Sequence, residues 1–275
     1  MTQRLQSVNA LINYTAPMNE PPRYHAMDAL RNVHVFDPRR VDIRESRACL
    51  DGPHLDREGF QLVRHTSAVH DYLDTAQLEG VYFAEIRALI RAVTGARAVA
   101  IAATPFVRFS ERSAQSGRLK NSRPARFVHI DYGDVRGKAL AEQIFATLDE
   151  RDWHYRRFAH YNVWRVLTPP PQDIPLAVCD ARSLHGEDQI AAIAVFDFAG
   201  VPQRTAESLV LRFNSAHRWH YFRDMTPDEV LIFVTNEGDP TRPHHVPHTA
   251  FDDPTCPANS VARASIEIRT VAYFD

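Results

Sequence analysis

The stretch HYNVWRVL (160–167) begins a series of seven short runs that are rich in valine, isoleucine and aromatic residues. The other six are, in order, PLAVCDARSL (175–184), IAAIAVFDF (190–198), SLVLRFNS (208–215), RWHYF (218–222), EVLIFVT (229–235) and SIEIRTVAYF (265–274). Clusters of proline, glycine or aspartate separate them. Short strands at this spacing predict an antiparallel sandwich or barrel and argue against alternating strand–helix–strand units.

The segment before these runs predicts two helices and one buried strand. Apolar residues recur at mostly three- and four-residue steps through Asp71–Val93, and Thr94-Gly95 supplies a stop. Ala98–Ala102 is a short apolar run typical of a buried strand, and Lys138–Leu148 is expected to form the second helix. The sequence therefore predicts an α+β fold in which helices pack on the outside of a double-sheet β-core.

Residues 1–75 carry a short-range hydrophobic pattern that several prolines interrupt. We expect an irregular arm that wraps the core, with short strands near Val33–Phe36 and Phe60–Val63. On this interpretation the chain divides into an N-terminal extension, residues 1–60, and one β-core domain, residues 61–275. The interrupting prolines are Pro17, Pro21, Pro22, Pro38 and Pro53.

The bulk composition is that of an ordinary globular protein, with 44% hydrophobic and 24% charged residues among 275. A net charge of −2 gives no overall field that would attract nucleic acid or an anionic membrane. The N-terminus lacks the apolar core of a secretory signal, and no apolar stretch is long enough for a membrane span. Cys49, Cys179 and Cys256 form no CxxC pair, which fits a reducing compartment. We therefore expect a cytoplasmic protein without nucleic-acid or membrane partners, and a homodimer is left open.

The stretch FVHID (127–131) places a histidine and an aspartate at the predicted end of a strand, just before Tyr132-Gly133. Because successive side chains of a strand point to opposite faces, His129 and Asp131 project to the same side, about 6–7 Å apart along the strand. One metal ion can be held between them. An isolated HxD is also typical of a histidine that is merely hydrogen-bonded in a polar loop, so the pair needs a third ligand.

His248, in VPHTAF (246–251), is the predicted third ligand from a distant strand. Two histidines and one carboxylate leave three coordination positions open, an arrangement that suits Fe(II) oxygenases. Arg263 and Ser265 follow on a strand, where a planar guanidinium and a neutral donor would match a carboxylate. A keto-acid cosubstrate that chelates the metal needs such an anchor at its far end.

Two other classes of function use the same residues. A cupin-type hydrolase or isomerase could hold Zn²⁺ or Mn²⁺ with His129, Asp131 and His248, but it would not need the Arg-x-Ser strand. A binding protein without catalysis would hold no stoichiometric metal. Succinate release alongside O2 uptake discriminates the oxygenase from the hydrolase or isomerase.

Six blocks of this sequence resemble one family, and they occur in the order found in that family. They are HIDYG (129–133), HYNVWRVL (160–167), LAVCDARS (176–183), HRWHYF (217–222), PHTAFDDP (247–254) and RASIEIRTVAYF (263–274). The chain is identified by them as similar to the CmcJ/NvfI (asaB-type) hydroxylase/desaturase family, from about residue 63 to the C-terminus. The resemblance implies a double-stranded β-helix core (jelly-roll, cupin-like). It also implies an Fe(II)/2-oxoglutarate-dependent dioxygenase that consumes O2 and oxidises a small molecule by hydroxylation, desaturation or oxidative cyclisation, with succinate as coproduct.

By this resemblance, the predicted triad His129, Asp131 and His248 holds iron. The same resemblance implies that Arg263 and Ser265 bind the distal carboxylate of 2-oxoglutarate. Arg269 lies on the same strand face by period-two counting, so it is an alternative anchor or a charge partner for Glu267.

The block HYNVWRVL adds three further candidates for cofactor binding. Asn162 and Trp164 share one strand face, on which Asn162 could hold the C1 carboxylate of 2-oxoglutarate and Trp164 could wall the pocket or pack in the core. Arg165 points to the other face, as a second anion binder or an ion-pair partner. His244 and His245 compete with His248 as ligands, and the PHTAF block selects His248.

Overall fold

The computed structural model describes residues 7–27, 29–47, 51–119, 122–148, 153–197, 200 and 202–275. The strands are β1 (Ser7–Thr15), β2 (Arg23–His25), β3 (Phe36–Glu45), β4 (Phe60–Arg64), β5 (Ala98–Ile101), β6 (Phe106–Phe109), β7 (His129–Ile130), β8 (Arg157–Val166), β9 (Leu176–Cys179), β10 (Gln189–Phe196), β11 (Arg204–Leu211), β12 (Trp219–Tyr221), β13 (Glu229–Glu237), β14 (His248–Ala250) and β15 (Ala264–Phe274). The helices are α1 (Thr75–Gln77), a π-helical turn (Leu78–Tyr82), α2 (Phe83–Thr94) and α3 (Asp134–Phe145), with 3-10 turns at Ala29–Arg31, Ala181–Ser183 and Gly186–Asp188.

The described strands form two sheets. The larger has the order β1-β3-β12-β9-β14-β7-β11-β10-β2, and the smaller has the order β4-β13-β8-β15-β5, with β6 also paired to β15. Each of the seven predicted runs overlaps a strand. The pairing is antiparallel as predicted, except that β2 runs parallel to β10 and β3 runs parallel to β12.

Both predicted helices are present with different boundaries: the first begins at Thr75 and includes the π-helical turn, and the second ends at Phe145. Gly95, in the left-handed conformation with φ of 71°, ends α2 at the predicted stop, and its N–H donates to the carbonyl of Arg91. The predicted helix Lys138–Leu148 instead begins at Asp134, because Gly133 is extended and serves as its N-cap residue. None of the helices among the described residues is long and apolar enough to cross a membrane.

The prediction that residues 1–75 are irregular is wrong for β1 and β3, which pair over nine residues from Ser7 opposite Arg44 to Thr15 opposite Phe36. Alternate side chains of β1 are buried, which is the period of a half-buried strand. Pro38 lies inside β3 and does not end it, since a strand tolerates proline where its N–H is not needed for pairing.

The short strands predicted in this region have different outcomes. The strand predicted near Val33–Phe36 begins only at Phe36, and Val33 forms an isolated bridge to Arg23. The strand predicted near Phe60–Val63 is confirmed as β4. The N-terminal strands β1 and β3 belong to the larger sheet, and β1 also accepts a hydrogen bond from the N–H of Val128, just before β7. Cys49, one of the three cysteines considered above, lies outside the described residues.

The two sheets pack against each other, and polar residues meet between them. The ring of Phe233 on β13 lies 4.7 Å from the ring of His248 on β14. Asn162 on β8 donates to Asp131, which directly follows β7. Tyr82 and Ile86 from the helical segment are part of the core cluster that includes the smaller sheet. The helices therefore lie outside a double-sheet core, as predicted.

Gly137 allows α3 to lie close to β13. A Cβ at this position would fall 2.2 Å from Oδ1 and 2.5 Å from Cγ of Asn236, a buried side chain. Gly137→Ala is therefore expected to lower the free energy of unfolding by about 1–3 kcal/mol through overpacking. Urea denaturation followed by circular dichroism measures this change.

Gly80→Ala is the matched control, because a Cβ there meets no atom within 4 Å. Within a helical segment this substitution is expected to be neutral or to stabilise by up to about 1 kcal/mol. Equal effects of the two substitutions would show that the contact between α3 and β13 does not depend on a glycine.

Candidate metal centre

Three of the predicted site residues meet between the two sheets. His129, Asp131 and His248 each offer one ligand atom, and these atoms all lie within 4.8 Å of one another. His129 Nε2 lies 4.0 Å from Asp131 Oδ1, and His248 Nε2 lies 3.8 Å from Asp131 Oδ2. All three residues are buried, with exposed fractions of 6%, 9% and 2%. The register pairs His248 directly with His129, so two neighbouring strands supply the histidines.

Backbone contacts fix the orientation of both histidine rings. His129 Nδ1 donates to the carbonyl of Phe127 at 3.0 Å, and His248 Nδ1 donates to the carbonyl of Val246 at 3.2 Å. In each ring this leaves Nε2 as the atom with a free lone pair, the usual arrangement for a metal-ligating histidine. His248 Nε2 is buried and has no hydrogen-bond partner among the described residues. Burial lowers the pKa of both imidazoles, that of His129 to about 3, so both are neutral near pH 7.

Residues of the smaller sheet hold the carboxylate of Asp131. Asn162 Nδ2 donates to Oδ2 at 2.6 Å, and Arg269 Nη2 donates to Oδ1 at 2.5 Å. Burial alone would raise the pKa of Asp131, but the charge of Arg269 and the hydrogen bond from Asn162 keep that pKa well below its usual range. Arg269 Nε also donates to Glu267 Oε1 at 3.1 Å. The metal centre therefore contains a carboxylate that stays ionised although it is buried.

A second set of buried donors lies further along β15. Arg263 Nη1 donates to Ser265 Oγ at 2.6 Å, and the guanidinium carbon lies 5.7 Å from the centre of the Trp164 ring. Nε and Nη2 of Arg263 are buried and have no hydrogen-bond partner among the described residues. Burial, followed by the charge of Arg108, lowers the pKa of Arg263 to about 10. Two unsatisfied donors on a buried cation form a site that a carboxylate would complete.

A cavity of about 570 Å³ opens beside the metal centre. His129, Asp131 and Arg269 line it together with the rings of Phe127 and Tyr132. The remaining wall combines an aromatic and apolar part with charged side chains. The first includes Tyr24, Met27, Phe36, Phe106, Leu140, Ala194, Val195 and Phe196, and the second includes Arg108, Glu111, Arg123, Arg126, Arg136 and Glu207. A volume of this size suits a small organic molecule.

The structure places the other predicted candidates as follows. Asn162 and Trp164 face the site, in line with the predicted strand alternation. Arg165 lies on the opposite face of β8, where its guanidinium donates to the carbonyls of His65 and Pro227. In this position Arg165 does not face the metal centre, because side chains of adjacent strand residues point in opposite directions.

The competing histidines lie elsewhere. His244 and His245 contact Asp134 and form a separate group from His129 and His248. Of the three neighbouring histidines, His248 is the one whose Nε2 faces Asp131.

Sequence reasoning missed the aromatic wall of the cavity and the arginine beside it. Phe127 lies two residues before His129 on the same strand face, with its ring 5.1 Å from the imidazole, so period two would have indicated it. Arg108 on β6 stands opposite Ser265, and only the pairing of β6 with β15 brings it there. No local pattern gives that pairing.

The residues present fit a metal ion and a keto acid. Two neutral imidazoles and one ionised carboxylate form a donor set that suits Fe(II), and the lone pair of the buried His248 Nε2 has no partner. The unsatisfied donors of Arg263, beside Ser265, suit the distal carboxylate of a dicarboxylic acid.

Comparison with known proteins shows which oxidoreductases this chain is similar to. The family described as an oxidoreductase/YMDC permease-like domain matches residues 12–273. "Oxidoreductase R2" of Phoma sp. is 29% identical over 273 residues, which cover 92% of this chain and 90% of that protein. "Fe(II)/2-oxoglutarate-dependent dioxygenase nvfI" of Aspergillus novofumigatus is 29% identical over 245 residues, which cover 86% of this chain and 84% of that protein.

A solved structure is similar over the whole chain. The structure described as the "iron and alpha-ketoglutarate-dependent endoperoxidase NvfI with different conformation" superposes with a TM-score of 0.82 at 25% sequence identity, and the match covers 99% of each chain. This similarity confirms the expected jelly-roll core. The chain therefore belongs to this oxidoreductase family, as its resemblance to the CmcJ/NvfI (asaB-type) hydroxylases and desaturases implied.

Proposed function

We propose that this protein is an Fe(II)/2-oxoglutarate-dependent dioxygenase that oxidises a small molecule in the cavity beside His129, Asp131 and His248. The proposal rests on two buried groups that lack binding partners among the described residues. One is His248 Nε2, whose lone pair faces the carboxylate of Asp131, and the other is the Arg263 guanidinium with two unsatisfied donors. An iron ion completes the first group and the distal carboxylate of 2-oxoglutarate completes the second.

The chain's own residues prepare the metal site before any ligand arrives. The carbonyls of Phe127 and Val246 orient the two imidazoles, and Asn162 and Arg269 fix the carboxylate of Asp131. Side chains that are already held lose little freedom when they bind a metal, and their neutral or ionised states are those that ligation requires.

The anchor for the cosubstrate follows from β15. Arg263 and Ser265 form a cationic and a neutral donor pair, and Trp164 packs beside the guanidinium. Arg269 is engaged with Asp131 and Glu267, so we assign the anchor role to Arg263 and a positioning role to Arg269. When bound together, Fe(II) and 2-oxoglutarate supply O2 activation coupled to conversion of 2-oxoglutarate to succinate and CO2.

The substrate binds in the cavity beside the metal centre. The aromatic and apolar part of the cavity wall favours a substrate with a largely apolar body, because burial of apolar surface drives such binding. The outcome is hydroxylation, desaturation or oxidative cyclisation, according to how the substrate lies relative to Asp131 and the histidines. The relative named an endoperoxidase carries out a further kind of oxidation on a similar fold.

A cytoplasmic location is part of this proposal. Cys179 and Cys256 are free thiols, which supports a reducing compartment. Neither partner proteins nor nucleic acid are required for the proposed reaction.

The function is tested by mass balance. Protein loaded with Fe(II) under anaerobic conditions is given O2, 2-oxoglutarate and a panel of small apolar molecules, and succinate and O2 are measured together. We expect at least one molecule to be oxidised with succinate formed in a one-to-one ratio to O2 consumed. Conversion of a substrate without O2 or without 2-oxoglutarate would instead indicate the hydrolase or isomerase alternative.

Asp131→Ala removes the carboxylate of the metal centre and is expected to abolish both iron retention and turnover. Metal affinity should fall by more than the roughly 10- to 100-fold that is typical when a residue supporting a ligand is lost. Iron is measured by elemental analysis after anaerobic loading and desalting. Asp56→Ala, at an exposed aspartate, is the control and should retain iron.

If Asp131→Ala keeps stoichiometric iron and oxidises substrate at the normal rate, the ligand assignment is wrong. Circular dichroism distinguishes the expected loss of iron from unfolding, since Arg269 loses one of its two carboxylate partners in the variant. His248→Ala provides an independent variant in which the pair of Asp131 and Arg269 remains intact.

Three arginines on the two central strands of the smaller sheet should respond differently to replacement by lysine. Arg263→Lys loses planar donors to the carboxylate, which should cost about 1–3 kcal/mol and raise the KM for 2-oxoglutarate roughly 5- to 150-fold. Arg269→Lys should mainly weaken iron binding, because Arg269 holds Asp131. Arg165→Lys should lower stability and leave the KM unchanged, because Arg165 lies on the other face.

Steady-state kinetics at saturating substrate, together with iron analysis and thermal melting, separates the three effects. An unchanged KM in Arg263→Lys, with a large increase in Arg269→Lys, would reverse the assigned roles.

A further inference from the structure

A second group of metal-binding side chains lies outside the iron site. Asp134, at the start of α3, faces His244 and His245 in the loop between β13 and β14. Asp134 Oδ1 lies 2.6 Å from His244 Nε2 and 3.3 Å from His245 Nε2, and the three ligand atoms lie within 4.8 Å of one another. Two histidines and one carboxylate therefore meet a second time in this chain.

The hydrogen bond of His245 on its other nitrogen favours metal ligation. Nδ1 lies 3.2 Å from Gln189 Oε1, an acceptor, so Nδ1 carries the proton and donates. Burial lowers the pKa of His245, so the neutral ring presents the lone pair of Nε2 to Asp134 Oδ1. Two acceptors that face each other at 3.3 Å need a donor or a cation between them; Nδ2 of Asn236 can donate to either one, and a metal ion would bind both.

Asn236 lies against the same group and is itself incompletely satisfied. Its Nδ2 lies 3.1 Å from Asp134 Oδ1 and 3.2 Å from His245 Nε2. Its Oδ1 is buried and has no hydrogen-bond partner among the described residues, although the residue is only 1% exposed. This oxygen faces Gly137, so Asn236 turns its amide donor toward Asp134 and His245, and the case for a ligand rests on the spacing of the three ligand atoms.

The spacing and exposure of the group suit a small divalent ion. Metal–ligand bonds of about 2.0–2.2 Å to nitrogen and oxygen place neighbouring ligand atoms about 3.0–3.5 Å apart. The distance from Asp134 to His245 already has this value, and the distance to His244 needs to widen by less than 1 Å. The side chain of Asp134 is 70% exposed, so an ion can enter from solvent and water can complete its coordination.

We propose that Asp134, His244 and His245 form a second binding site for a divalent transition metal such as Zn²⁺, separate from the iron site. The two segments that carry this site also carry iron ligands. Asp134 follows Asp131 by three residues, and His245 precedes His248 by three residues. A metal at the second site therefore joins the end of β7 to the start of β14 and stabilises the geometry of the iron ligands.

Zinc binding by the untagged, metal-free chain tests the proposal. Equilibrium dialysis followed by elemental analysis should give two Zn²⁺ per chain for the wild type, because the iron site also accepts Zn²⁺. The double variant His129→Ala/His248→Ala should still bind one Zn²⁺. Asp134→Asn and His244→Ala should reduce the wild-type stoichiometry from two to one, with affinity at the second site at least about tenfold weaker.

His154→Ala is the matched control, because it removes an exposed histidine outside both groups and should keep two Zn²⁺. Thermal melting gives a second readout. Zn²⁺ should raise the Tm of His129→Ala/His248→Ala, and the effect should disappear when Asp134→Asn is added, since a ligand stabilises only a protein that binds it.

The proposal is overturned if the wild type binds one Zn²⁺ and His129→Ala/His248→Ala binds none. It is also overturned if Asp134→Asn and His244→Ala bind Zn²⁺ exactly as the wild type does. Both results concern the second group alone, so they leave the proposed dioxygenase activity to its own test.

Discussion

The ionised carboxylate of Asp131, buried between two sheets, is the constraint on which the rest of the structure depends. An unpaired buried charge costs several kcal/mol, so the fold must surround this one with donors. Arg269 and Asn162 provide them, and both come from the smaller sheet, whereas Asp131 follows a strand of the larger sheet. The same contacts that stabilise the charge therefore fix the distance between the sheets and the position of the metal centre.

Along β15, strand alternation places polar site residues on one face and hydrophobic core residues on the other. One face carries Arg263, Ser265, Glu267 and Arg269. Arg269 donates to the carboxylate of Asp131, and Arg263, further along the strand, has unsatisfied donors. Residues on the other face, such as Ile268, belong to the hydrophobic core. One strand thus runs from the metal centre to the predicted cosubstrate anchor, and its period of two places both on the same face.

This alternation also explains how much the sequence could predict. The runs of the second half are local patterns, and the strands confirm them. The shared face of His129 and Asp131 is a local pattern too, and the ligand atoms of these residues lie in one cluster. The pairing of β1 with β3 joins residues far apart in the chain. Pro38 lies inside β3, and its presence favoured the prediction of an irregular segment. The unsatisfied donors of Arg263 and the position of Arg108 depend on which strands become neighbours, and no local pattern records that.

The central claim is that His129, Asp131 and His248 bind one iron ion and leave room for a chelating keto acid. Anaerobic titration of the metal-free protein with Fe(II) in the presence of 2-oxoglutarate tests it most directly. The account predicts that the weak visible charge-transfer band of the chelate develops to an endpoint of one Fe(II) per chain at this site. Iron that binds without producing this band would contradict the account.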